Sequence, residues 1–318
     1  MGPFRCAAAM TREGWDAMAR WRDERMGEDG DLWHRALIDP TLLDVVGPVQ
    51  GLRVLDLACG NGYLTRRWAR EGAAVSLGVD LSSGSLARAR RREAASRTGA
   101  RFLRRDASDL SGIAERSFDL VVANMALLDI EDASGAVREV ARVLDVAGRF
   151  VFSVGHPCFD LDDRSAWIVE RSRQGDGVFR DQVWRKLRLY REERSVRVPW
   201  AISPSEVGYT RSYHRTLSTY SRILRDAGLA VVRIEEPAPT PELVANSPQG
   251  PFIAEVPLHL VVEAVALRPA PRRTRPAEPR RRGSRTSART ARTGARRTGA
   301  GDRRAGSGSP RRGSTSGS

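Results

Sequence analysis

VLDLACGNGYL, residues 54–64, is the stretch whose reading decides the fold. Its apolar start, Val54 to Leu57, is broken abruptly by Cys59-Gly60-Asn61-Gly62, and Leu64 and Trp68 then fall at helical spacing. An apolar run, a glycine turn and a helical pattern, in that order, predict a buried parallel strand, a tight turn and a helix start. Together they form the first unit of a doubly wound α/β sheet. Glycines in such a turn let the backbone approach a ligand, because a Cβ there would fill the ligand's space.

Two kinds of ligand compete for this turn. A nicotinamide dinucleotide fingerprint wants a third glycine or alanine three residues after the second, and Thr65 stands there instead. Asp56, at the strand end, repels a pyrophosphate and suits a cation. The residues favour a ligand with an amino group and no phosphate.

VLDLACGNG resembles the first motif of the class I S-adenosylmethionine-dependent methyltransferases (the type 11-like family), with Ala58 where that family more often has glycine. Later segments follow in the family's order. GVDLS (78–82) resembles the end of the second strand, RRDASDL (104–110) the adenine-contacting segment, and FDLVVANMALLDIED (118–132) the fourth strand and its turn. LDVAGRFVFSVGHP (144–157) resembles the fifth strand, with Val146-Ala147-Gly148 in place of Pro-Gly-Gly. These motifs cover residues 52–157, and 213–229 with the closing strand extend the resemblance to about residue 267. It implies a mostly parallel seven-stranded Rossmann-like sheet that binds S-adenosyl-L-methionine. Asp56, Ala58, Cys59, Gly60, Asn61 and Gly62 would form the cofactor turn. Asp80 with Leu81 would hold the ribose hydroxyls, Asp106 with Ala107 the adenine amine, and Asn124 with Met125 would close the site. Asp80 could instead cap the next helix, a role that Ser82 or Ser83 can fill. Asp106 could simply close a turn.

Periodicity supplies the elements: strands at 52–57, 74–79, 100–104, 118–123 and 148–154, with helices at 62–71, 83–97 and 133–144 between them. Such alternation predicts right-handed crossovers. A helix over 217–227, a strand at 229–235, a loop carrying Pro237, Pro239 and Pro241, and a strand at 258–266 complete the domain, 1–267. An amphipathic helix is predicted over 12–26 in a tryptophan-rich segment, Trp15, Trp21 and Trp33, and a second short helix before the first strand. The segment 12–46 reads either as a helix packed on the sheet edge or as a lid whose aromatic faces meet a sulfonium. Residues 156–216 interrupt the alternation after the fifth strand and carry, besides Phe159, seven aromatics from Trp167 to Tyr213. A connection this long, at the carboxyl end of a central strand, predicts an acceptor-binding cap.

The net charge of +14 over 318 residues is confined to one end. Residues 268–318 hold 16 Arg and two acids, whereas the remaining 267 residues hold 37 basic and 37 acidic side chains. The tail is predicted to be disordered, since it has almost nothing apolar to bury. Without interleaved aromatics it predicts at most weak contact with nucleic acid. Three cysteines, no apolar leader and no apolar run of membrane length predict a cytoplasmic protein without disulfides.

His156, locked in a His-Pro pair after the fifth strand, and His214, in Tyr213-His214-Arg215, are the candidate catalytic residues. His34 and His259 complete the histidines, and His259 reads as structural. Cys158 reads as an inert thiol rather than as a nucleophile for carbon methylation. The Asn/Asp-Pro-Pro-aromatic signature of amino-methylating nucleic-acid enzymes is missing, because 124–127 is Asn-Met-Ala-Leu. No clustered spacing suggests a metal. The reading is a methyltransferase acting on a small molecule, mostly at oxygen. The alternatives are an RNA or protein acceptor recruited by the tail, or a binding module without turnover. Oligomeric state is not legible.

Overall fold

β1 (Arg53–Leu57) is buried along Val54 to Leu57, as a strand covered on both faces must be. It lies between β2 (Val75–Asp80) and β4 (Phe118–Ala123), parallel to both. β3 (Arg101–Arg104) extends one side, and β5 (Leu144–Gly155) pairs parallel with β4 on the other. The computed structural model describes residues 4–160, 164–173 and 175–267, with side chains from residue 13 onward. The predicted disordered tail, 268–318, lies outside the described residues.

Alternate residues of the central strands feed two cores. Leu55, Val121, Phe150 and Phe152 face one layer of helices, and Val54, Leu120, Val122 and Val151 face the other. α5 (Ala133–Val143) seats Ala136, Val137, Val140 and Val143 on the first core at helical spacing. α2 (Asp39–Val46) and α3 (Tyr63–Arg70) close the second around the fully buried Trp68. Each fully buried aliphatic side chain contributes about 1.5–3 kcal/mol. Arg53 fixes the register at the base of the sheet, its guanidinium 2.6 Å from Asp119 on β4 and 2.7 Å from Asp145 on β5.

Two late strands complete a sheet of seven. β11 (His259–Ala266) runs antiparallel to β5, and β10 (Leu229–Glu235) runs antiparallel to β11, after α6 (Leu217–Asp226). The sheet is thus mostly parallel and doubly wound, with only β11 reversed. The proline-rich loop folds further than expected, into α7 (Pro241–Asn246) and α8 (Gly250–Ile253).

The departures from expectation lie at the ends and in the insertion. α1 runs Phe4–Met26, and a π-helix, His34–Ile38, leads into α2. β5 starts at Leu144 rather than 148, because its pairing with β4 shifts register between Phe118 and Leu120 to absorb the turn around Ala147. Residues 156–216 contain two antiparallel hairpins. The first joins β6 (Ser165–Arg173) to β7 (Phe179–Leu187), and the second joins β8 (Arg194–Ser203) to β9 (Glu206–His214). No helix among the described residues is long and apolar enough to cross a membrane.

Candidate active site

The strand order reverses between β1 and β4, and ligands of open α/β sheets bind beyond the carboxyl ends of strands at such a switch point. A cavity of about 480 Å³ opens there, within the range of small-molecule sites. The turn after β1, the end of β2 and the segments after β3 and β4 line it from below, and α1 lines it from above.

Five of the six turn residues proposed from sequence, Asp56, Ala58, Cys59, Gly60 and Asn61, line this cavity. Gly60 has φ +57°, and a Cβ built on it meets no protein atom within 4 Å, so the backbone there is bare toward the cavity. Gly62 is not among the lining residues. At φ +74° its Cβ would fall 2.6 Å from Phe102 Cζ, so this glycine serves packing rather than the ligand. Cys59 is buried, and burial pushes its thiol well above the usual range, which makes it inert. Thr65, where a dinucleotide site would carry glycine, donates from Oγ1 to Asp56 at 2.6 Å and fixes that carboxyl.

Both alanines that replace family glycines sit in left-handed backbone: Ala58 at φ 58° and Ala147 at φ 61°. An L-residue there costs about 1–2 kcal/mol, partly offset by the greater freedom of unfolded glycine, about 0.4–1 kcal/mol. Ala58→Gly combined with Ala147→Gly is therefore expected to stabilise the fold by about 1–2 kcal/mol. Calorimetry should show the melting temperature rising by roughly 2–6 °C. A fall would contradict the strain.

The remaining predicted cofactor residues also line the cavity: Asp80 and Leu81 after β2, Asp106 and Ala107 after β3, Asn124 and Met125 after β4. Asp80 does not cap α4 (Ser83–Ser96), because the Ser82 side chain does so through Ser85 N. Instead its two oxygens accept from Gly60 N at 2.9 Å and Ser82 N at 2.8 Å, tying the β1 turn to β2. Asp106 lines the cavity while also closing its own turn, Oδ1 accepting from Ser108 N at 2.9 Å. A bare glycine backbone, the buried Asp56, the half-buried Asp80 and a cavity of this volume fit a nucleoside with a cationic side chain.

Burial pushes the Asp56 carboxyl up from the usual carboxylate range to about 7, and the neighbouring Asp80 adds to the shift. Without ligand, Asp56 therefore holds its proton at pH values where the unfolded chain has lost it. Folding stability then falls as pH rises from about 4 to 7. A cationic ligand favours the carboxylate and expels that proton. Affinity for S-adenosylmethionine is expected to rise by up to about tenfold per pH unit below pH 7 and to level off above it. Titration calorimetry in buffers of different ionisation enthalpy checks this, and a pH-independent affinity would contradict it.

α1 is fastened over the cavity. Asp16 accepts from Ser82 Oγ at 2.6 Å and Gly84 N at 2.8 Å, and buried Asp23 pairs with Arg92 and accepts from Asn61 Nδ2 at 3.2 Å. Trp15, Arg22 and Met26 of this helix line the cavity, and the helix packs on α4 and β9 rather than on the sheet edge. The cap expectation needs correction, because among the described residues no aromatic of 156–216 lines the cavity. The β8–β9 hairpin instead backs α1, with Trp200 on Trp21 at 5.9 Å between ring centroids. The β6–β7 hairpin leaves Phe179 and Trp184 exposed.

Neither histidine proposed as catalytic reaches the cavity wall. His156 Nδ1 accepts from Cys158 N at 3.1 Å, so Nε2 carries the hydrogen shared with Glu236 at 3.0 Å. Both nitrogens are committed, and burial lowers the pKa of the ring. His214 Nε2 donates to the Tyr190 carbonyl at 2.8 Å beside a separate recess of about 50 Å³. Cys158 is likewise outside the wall. His34, passed over in the sequence, does line the cavity, as do Arg22 and Tyr63. Tyr63 OH donates to buried Asp39, and Asn124 Nδ2 reaches Asp39 Oδ1 and Tyr63 OH, each at 2.9 Å. One signal for His34 was available, since Asp31-Leu32-Trp33-His34 puts an Asp three residues ahead at a helix start. No group of three or more His, Cys, Asp or Glu among the described residues is placed to hold a metal.

Comparison with known proteins agrees with this geometry. Residues 55–152 match the model of a family described as a methyltransferase domain. An S-adenosylmethionine-dependent methyltransferase of Mesorhizobium loti is 31% identical with a TM-score of 0.57, over 75% of this chain and 100% of that one. A putative methyltransferase of the same kind from Listeria monocytogenes is 26% identical with a TM-score of 0.58, over 74% and 97%. A ubiquinone biosynthesis O-methyltransferase of Alkalilimnicola ehrlichii is 33% identical over 43% of this chain and 55% of its own. The chain spans about half the length of the curated relatives with a stated reaction that it matches.

Proposed function

This chain belongs to the S-adenosylmethionine-dependent methyltransferases, and we propose that it methylates a hydroxyl oxygen of a small molecule. The observation that carries the reading is the roofed cavity. α1, fastened by Asp16 and Asp23, covers the wall in which Asp56 and Asp80 lie, and so favours an acceptor small enough to enter. Among the lining residues Asp129, Glu131 and Asp132 join Asp56, Asp80 and Asp106 and outnumber Arg22 and Arg105, which disfavours a polyanion. The relative named for ubiquinone biosynthesis carries the same direction, oxygen of a small acceptor.

S-adenosylmethionine supplies a methyl carbon already activated by its sulfonium. What remains for the protein is binding, alignment, exclusion of water and removal of the acceptor's proton. Asp80 suits two adjacent ribose hydroxyls, Asp106 an exocyclic amine, and Asp56 the cationic end. Gly60 gives the chain of the ligand room to pass. Trp15 and Tyr63 offer the aromatic faces that a sulfonium favours.

The test is transfer of label from methyl-labelled S-adenosylmethionine into a fractionated cell extract. Label in the organic-extractable fraction supports a small-molecule acceptor. Label confined to RNA or protein sinks the proposal and points to recruitment through the tail.

A further inference from the structure

We propose that Asp31 and His34 form the proton-accepting pair of the transfer, with His34 Nε2 as the base that meets the acceptor's hydroxyl. The inference rests on the oxygen-methylation reading above and adds the residues that perform it.

The geometry specifies the direction of the pair. Asp31 Oδ1 lies 2.8 Å from His34 Nδ1 and also accepts from His34 N at 3.1 Å, so ring and main chain converge on one oxygen. The other oxygen lies 3.5 Å from Arg22 and 3.4 Å from Arg25. Burial works against ionising Asp31, but the hydrogen bonds from His34 and the charge of Arg22 hold its carboxyl well below the usual range. An ionised carboxylate only accepts, so Nδ1 carries the hydrogen, and in the neutral ring the lone pair lies on Nε2. The two side chains are only 10% and 8% exposed. Among the described residues nothing hydrogen-bonds Nε2, and His34 lines the cavity. This contrasts with His156 and His214, whose Nε2–H groups are given to Glu236 and to a carbonyl.

The neighbours leave the base free. Tyr63 meets the His34 ring edge-on at 6.2 Å, and its hydroxyl is committed to both oxygens of Asp39. Burial raises the Asp39 carboxyl, while on β11 burial lowers His259 to about 4, so His259 stays neutral beside His34. His34 also opens the π-helix His34–Ile38, a rare geometry that recurs at functional sites.

In the step, the acceptor oxygen bonds to the methyl carbon while the carbon–sulfur bond breaks and its electron pair passes to sulfur. The hydroxyl proton passes to Nε2. The resulting imidazolium is paired with the Asp31 carboxylate and later releases the proton to solvent. Asp31 acts through His34 and is a positioning residue.

Two measurements test the pair on the full chain. Long-range ¹⁵N–¹H correlation spectra of the histidine-labelled protein with S-adenosylhomocysteine, assigned with His34→Gln, should show His34 neutral with its hydrogen on Nδ1. Asp31→Asn should move that signature. A hydrogen on Nε2 in the unaltered protein overturns the base whatever the acceptor. His34→Gln should bind S-adenosylhomocysteine within about threefold of the parent, yet transfer label to hydroxyl acceptors of the organic extract about 10²–10⁴-fold more slowly. Unchanged hydroxyl methylation in this variant overturns the base and leaves the function standing. Parent protein that labels only nitrogen or carbon, or nothing, overturns the function and the base with it.

Discussion

Gly62→Val is expected to cost the fold about 4 kcal/mol, whereas Gly60→Ala, two residues earlier, leaves it largely intact and weakens the cofactor. At Gly62 two penalties combine. Left-handed backbone costs an L-residue about 1–2 kcal/mol, and overpacking costs a further 1–3 kcal/mol, roughly. The ring of Phe102 lies against both Gly62 and Gly78, so it must shift to admit a side chain at residue 62. The melting temperature should fall by roughly 8–16 °C. At Gly60 the added methyl meets no protein atom within 4 Å and enters the cavity instead. The two glycines are two positions apart in the motif and opposite in role. Equal loss of stability in both variants, or a stable Gly62→Val, would contradict the assignment.

Asp80→Ala is the second large effect. If both carboxylate oxygens accept from ribose hydroxyls, two charge-assisted hydrogen bonds are lost, about 1.5–3 kcal/mol each. Affinity for S-adenosylmethionine should then fall by about 10²–10⁴-fold. Stability of the protein without ligand should change little. Burial already raises the Asp80 carboxyl above its ordinary value, so deleting a desolvated charge offsets the loss of its bonds to Gly60 N and Ser82 N. Calorimetric titration and a thermal melt of the same sample separate the two. Unchanged affinity, or a melt that falls in step with it, would assign Asp80 to structure alone.

The sheet was legible because its signals are local and strong. Val54–Leu57 and Phe118–Ala123 are largely buried and read as apolar strands interrupted only by Asp56 and Asp119. The Cys59-Gly60-Asn61-Gly62 turn could be placed from its glycines, but which glycine faces the ligand depends on Phe102, forty residues away. The hairpins of 156–216 were missed for a different reason. They are largely exposed, so charged residues such as Arg171 and Asp181 dilute the period-two pattern. β8 keeps that pattern, with Val196, Val198, Trp200 and Ile202 alternating with exposed neighbours, yet no strand was expected there. His156 looked catalytic from its place after β5, yet Glu236, 80 residues later, and Cys158 N occupy its ring. His34 looked unremarkable because its worth depends on α1 and β11 closing around it.

The central claim is methyl transfer to a hydroxyl oxygen, and the atom methylated can be read directly. The product formed from [methyl-¹³C]S-adenosylmethionine and the organic-extractable acceptor pool would be isolated and its ¹³C spectrum recorded. An oxygen-bound methyl resonance is the predicted result. A methyl resonance on nitrogen or carbon, with none on oxygen, would contradict the account.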